Sequence, residues 1–128
     1  MRVRSALTIF AFTAVAAMSG PAFAEGDAAA GEKVFNKCKA CHSVEEGKNK
    51  VGPSLHGVIG RAPGTLEGYN YSKAMKEFGQ DHVWDDATLH TYLEDPKAMV
   101  PGTKMAFVGL KKQEDRDNVI AYLKQFSQ

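Results

Sequence analysis

The sequence predicts an all-α domain of three to five short helices joined by long loops, with a core too thin to stand unless something is bound within it. Three observations carry this. No segment alternates apolar and polar residues as a half-buried strand does. Helical spacing, or residues that start and stop helices, marks four separate segments. Between them, residues 43–70 hold six of the chain's 12 glycines and two of its five prolines, in no periodic order. A loop that long in a compact domain wraps something or functions directly. About a hundred residues with so few helices need a staple, a metal or a cofactor.

Residues 1–24 stand apart. "MRVR" carries two arginines and no acid, "ALTIFAFTAVAAM" is apolar throughout, and "AFA" ends at Ala24 with small residues. This order is that of a secretory signal peptide, and the apolar run is too short to span a bilayer. The expected domain is therefore 25–128, exported, with no membrane-spanning segment. Removing residues 1–24 takes Arg2 and Arg4 from the 16 Lys and Arg and nothing from the 15 Asp and Glu, leaving 14 against 15. A near-neutral domain is not a dedicated nucleic-acid binder.

The first helix starts after Asp27, a good N-cap, and carries Val34, Phe35 and Cys38 on one face, with the cysteine pair at its end. Gly31 within it weakens the helix, which makes sense if another helix approaches closely there. A second helix fits residues 72–78, closed by Gly79. A third runs from Asp85 or Asp86 to Pro96, with Leu89, Tyr92 and Leu93 on a shared face. Residues 97–110 read as loop. The last helix is the clearest: acids fill its first turn, and Val119, Ile120, Leu123 and Phe126 form its stripe.

The chemistry concentrates in "CKACH". Cys38 and Cys41 are the only cysteines, three apart, and His42 follows directly. A disulfide closing so short a loop removes little chain entropy. A thioredoxin-like dithiol opens a helix after a strand, whereas this pair ends a helix. Zinc wants four nitrogen or sulfur ligands, and Cys38, Cys41 and His42 leave only distant His56 as a fourth. The remaining reading uses every residue. Cys-x-x-Cys-His is the attachment signature of a c-type haem: two thiols bond the vinyl groups, and His42 faces the iron. One covalent haem c would supply the missing core, and attachment on the exported side agrees with the leader.

The second axial position decides what such a haem does. An open site admits gas or peroxide; a thioether closes it and leaves electron transfer. Residues 25–128 hold three methionines. Met75 lies within the short helix, where packing is the ordinary role. Met99 has no special context. Met105 follows "VPGTK", a turn that can push a side chain inward, far in sequence from His42, and is the predicted ligand. The rivals to an electron carrier are a haem enzyme or gas sensor with a displaceable sixth ligand, and a zinc-stapled interaction module.

"CKACH", "VGPSLHGVIGR", "YLEDPKAMVPGTKM" and "VIAYLKQF", in this order over nearly all of 25–128, resemble the class I cytochromes c, most of all bacterial cytochrome c2 and mitochondrial cytochrome c. The resemblance implies thioethers on Cys38 and Cys41, and His42 and Met105 as axial ligands. It places the Pro53 carbonyl on the His42 ring N–H and Tyr92 by the Met105 sulfur. Arg61, Tyr71 and Trp84 would surround the haem propionates, and Gly31 and Phe35 would meet Tyr122 where the first and last helices cross. The loop after His42 is slightly shorter than in the mitochondrial form and residues 72–83 slightly longer, with Met75 where that form has asparagine. Lys37, Lys39, Lys97, Lys104, Lys111 and Lys112 fall in segments expected at the haem edge, and most acids elsewhere. The implied protein is a monomeric periplasmic electron carrier without a small-molecule substrate. It would dock transiently on membrane redox complexes, such as a bc1 complex and an oxidase or photosynthetic reaction centre.

Overall fold

A computed structural model describes residues 15–16 and 25–127; the leader expected over 1–24 otherwise lies outside them. Among the described residues there are five helices and no strand. They are α1 Ala28–Phe35, α2 Lys73–Phe78, α3 Asp86–Glu94, α4 Pro96–Met99 and α5 Gln113–Lys124. No described helix is long and apolar enough to cross a membrane.

Helix α1 begins where Asp27 caps it, accepting from the Ala29 and Ala30 amides. It crosses α5 backbone against backbone. A Cβ on Gly31 would lie 1.9 Å from the Asn118 carbonyl oxygen and 2.8 Å from Tyr122 Cβ, so only glycine permits the crossing. The Asn118 side chain accepts from the Asp27 amide at 2.8 Å, and the Phe35 and Tyr122 rings pack 5.3 Å apart. Helix α5 buries Val119, Ile120 and Leu123, the expected stripe, while Phe126 lies past its end.

The segment predicted as loop after Pro96 opens instead with a helix. Asp95 caps α4, and Pro96 takes its first turn, where a missing N–H costs nothing. One proline both stops α3 and starts α4. Gly79 closes α2, yet not in the left-handed conformation of a helix-ending glycine: its φ is −69°. A Cβ there would stand 1.7 Å from the Pro63 carbonyl oxygen, so glycine is needed for close approach.

The long loop 43–70 is pinned by distant backbone partners. Gly57 N–H donates to Phe126 O, Gly60 N–H to Trp84 O and Trp84 N–H to Arg61 O. Buried Ser54 donates to Glu45 O, and its amide donates to Asn49 Oδ1. Polar backbone without regular structure is thus satisfied piece by piece. The core gathers Phe35 from α1, Met75 from α2, Leu89, Tyr92 and Leu93 from α3, and the α5 stripe, with Val58, Trp84, Val100 and Leu110 between.

Candidate functional site

The cysteine pair lies past the end of α1, not within it. The chain leaves Phe35 in tight turns: Cys38 and Lys39 amides donate to Phe35 O, and Cys41 and His42 amides to Cys38 O. The expectation of a helix ending on the pair is corrected by this, since hydrogen bonds of mixed span replace the regular ladder. The turns bring Cys38, Cys41 and His42 to one wall of a cavity. The His42 Nδ1–H donates to Pro53 O at 2.7 Å. A carbonyl only accepts, so Nε2 carries the free lone pair. Gly52 donates to Cys41 O and presses on the imidazole, where an added Cβ would stand 2.4 Å from Cε1. Burial pushes the His42 ring below its ordinary pKa, against the bond to Pro53, and keeps it neutral.

Met105 lines the same cavity from another wall. Its sulfur accepts from the Tyr92 hydroxyl at 3.3 Å, and that hydroxyl is 3.2 Å from Thr103 Oγ1. Thr103 Oγ1 accepts in turn from the Met105 amide. The proton order follows: Tyr92 gives its one proton to sulfur, and Thr103 donates to the Tyr92 oxygen. Burial raises the Tyr92 pKa, so the phenol keeps that proton. Met75 also lines the cavity, buried on α2, whereas Met99 does not.

The cavity measures about 420 Å³, and its wall is mostly apolar: Phe35, Leu55, Val58, Leu89, Val119 and Leu123 among others. Arg61, Tyr71 and Trp84 line it together. The guanidinium of Arg61 also spends donors on the His56 and Ser54 carbonyls, which fixes the group in place. The lining suits a flat apolar group: two thiols, a neutral imidazole and a thioether open into one largely apolar space.

The other readings of the cysteine stretch find no support in this geometry. The two thiols are not bonded to each other. Burial pushes the Cys38 thiol up to about 11, the reverse of a redox-active thiolate. The His56 ring turns to Val44 O, and no three of the described His, Cys, Asp and Glu side chains cluster as metal ligands.

Residues 28–127 match the family model described as cytochrome c. This chain belongs to the cytochrome c family. Among its relatives, cytochrome c-554 of Methylosinus trichosporium is 53% identical over 98% of this chain and 95% of that one. Cytochrome c2 of Afifella marina is 57% identical over 77% of this chain and 81% of its own length. The solved structure of cytochrome cH from Methylobacterium extorquens superposes with a TM-score of 0.73 at 52% identity, covering 78% of this chain and 99% of that one. The protein is accordingly a class I c-type cytochrome, an electron carrier and not an enzyme. Cytochromes c carry one covalently attached haem c, and Cys38 and Cys41 are in position for it.

Sequence reasoning missed Gly52, Thr103 and a buried polar group between α3 and α5. Gly52 was legible as a glycine beside Pro53, but nothing local says that it touches the imidazole. Thr103 sits two residues before Met105, a spacing at which a hydroxyl meets a following amide, as it does here. The third group, His90, Arg116 and Asp117, left no signal, because charged residues on a helix are read as solvated.

Proposed function

We propose that this cytochrome c is an exported, monomeric carrier whose haem iron is held by His42 and Met105, and that it shuttles single electrons between membrane redox complexes in the periplasm. The observation that supports the ligand pair is that the Pro53-oriented imidazole and the Tyr92-held thioether line one cavity with both cysteines. When bound, the haem supplies a one-electron ferric/ferrous couple. The chain's part is to keep both ligands in place as the charge changes. Pro53 fixes the His42 tautomer, while Tyr92 and Thr103 orient the Met105 sulfur. The apolar wall keeps water out, which together with a thioether ligand favours the ferrous state. Arg61, Tyr71 and Trp84 would take the propionates, whose burial without donors is costly.

The c2 relatives support an electron carrier, and the class I resemblance suggests complexes such as a bc1 complex and a terminal oxidase or photosynthetic reaction centre as its partners. Lys37, Lys39, Lys97, Lys104, Lys111 and Lys112 are all exposed, and Lys37 and Lys104 stand at the cavity. Lys104 and Lys111 also reach the Asn70 and Glu94 carbonyls of their own chain, so each has a tethering role besides any docking role. Exposed charges steer encounter more than they add affinity. Transfer rates to an acidic partner surface should therefore fall steeply with salt; rates flat from low to high salt would remove the docking role.

The ligand pair is tested by optical spectra of the reduced holoprotein with and without carbon monoxide. Wild type should be unmoved and Met105→Ala shifted. Ready carbon monoxide binding to wild type would mean an open sixth position and a sensor or enzyme instead.

A further inference from the structure

Between α3 and α5 lies a buried polar cluster that electron transfer does not use. His90, Arg116 and Asp117 are 6%, 8% and 9% exposed. The Arg116 Nε–H donates to His90 Nδ1 at 3.4 Å, so the ring proton sits on Nε2, which lies 2.9 Å from Asp117 Oδ1. The other end of Arg116 grips the segment that follows Met105. Its Nη1 donates to Leu110 O at 2.6 Å and Lys111 O at 3.1 Å. That segment is also stitched to the last turn of α3: the Leu110 amide donates to Leu93 O, and Lys111 Nζ to Glu94 O. Two residues beyond His90 on the same helix, Tyr92 holds the Met105 sulfur. The clamp and the methionine therefore share one helix and one strand of chain.

We propose that His90, acting through Arg116, is a positioning residue that holds the Met105 segment against α3, and that proton uptake by His90 slackens this segment. The inference rests on the reading of Met105 as iron ligand. A proton can enter only at Nδ1, the atom that accepts from Arg116. It turns an acceptor into a donor and sets two cations face to face. Arg116 must then withdraw, and its grip on Leu110 and Lys111 goes with it.

Among the described residues, helix α5 brings Arg116 and Asp117 to His90, and Lys124, which pairs with Asp86 at 2.9 Å; α3 itself brings Asp86, and Glu94, whose carboxylate is 4.0 Å from Arg116. Helix α4, also packed on α3, brings only exposed Lys97. Burial holds His90 below its ordinary value of 6.5, opposed by Asp117 and Asp86 and aided by Arg116. A histidine depressed on folding leaves stability intact above 6.5, and that stability is lost as pH falls toward the folded-state value.

The test is the rate of carbon monoxide binding to the reduced holoprotein from pH 7.5 to 4.5, a ligand that does not itself titrate. Wild type should bind faster as pH falls, by about tenfold for each pKa unit by which the closed clamp depresses His90. His90→Gln should be flat over this range, because glutamine can accept from Arg116 but gains no proton. A rise that survives in His90→Gln, or no rise in wild type, would overturn the proposal. Met105→Ala at pH 7 separates the two readings: fast binding there supports Met105 as ligand whatever the clamp does, and slow binding sinks that assignment. If His90→Gln does not accumulate, the His90 ring is titrated by NMR in wild type. Its midpoint must coincide with the rise in binding rate, and a separate midpoint refutes the coupling.

Discussion

The two walls that present His42 and Met105 are built differently. The His42 wall is short in sequence and made of backbone. Tight turns carry the five residues from Cys38 to His42, the imidazole bonds a carbonyl eleven residues on, and Gly52 packs close against it. The Met105 wall is assembled from afar. Its sulfur depends on a hydroxyl from α3, its loop on a Lys104 tether to Asn70, and the chain beyond on Arg116. Backbone enclosure leaves one arrangement, whereas side-chain hydrogen bonds are each worth only about 1 kcal/mol and open singly. With His42 and Met105 as the proposed ligands, the contrast implies that ligand loss would start at the methionine.

The largest change should come from breaking the rigid wall. Gly52→Ala puts a Cβ 2.4 Å from the His42 ring, which can shift only by straining its bond to Pro53 O or the backbone beside it. Overpacking of this kind should cost about 3 kcal/mol in denaturant unfolding of the holoprotein. An unchanged unfolding midpoint would show that the wall is softer than described.

Next come changes on the soft wall. Asp85 caps α3, the helix that carries Tyr92, by accepting from the Thr88 amide at 2.8 Å. Asp85→Ala should cost about 1 kcal/mol. That amide bond holds the Asp85 carboxyl below its usual range. The contribution is therefore present above the ordinary carboxylate pKa and fades as pH falls through the folded value. Wild type and variant should converge in melting temperature at acid pH, and a constant gap would count against the cap. Tyr92→Phe removes the hydroxyl from the Met105 sulfur. It should cost about 1 kcal/mol in unfolding and speed carbon monoxide binding, with little change in the His42 wall. Equal carbon monoxide rates in variant and wild type would mean that the hydroxyl does not restrain the sulfur. Lys104→Ala should have the smallest effect, under about 0.5 kcal/mol, since its bond to Asn70 O is exposed.

The same division governs what the sequence reveals. The His42 wall is legible because its chemistry is local: "CKACH" puts three functional groups within five residues. Helices α1 and α5 are legible from Asp27, the acidic first turn and the Val119, Ile120 and Leu123 stripe. Helix α4 is not, because Pro96 signals a stop and a start with the same residue. Met105 can be picked from its turn, and the family resemblance sets Tyr92 by its sulfur, but Thr103 and Arg116 carry no local sign of their roles until folding brings residues 26 positions apart into contact. A pattern of apolar spacing has no symbol for a buried charge.

The crossing of α1 with α5 has a consequence for how the chain is made. Asp27 meets Asn118 across 91 residues, and Gly57 waits for the carbonyl of Phe126. The first half of the chain is therefore incomplete by itself: without α5, α1 has no surface to cross, and the Gly57 amide of the long loop has no partner at Phe126. Contacts so far apart make closure late and slow, since the loop entropy is lost before the packing is gained. The molecule closes like a ring box, whose lid and base are cut from opposite ends of one strip.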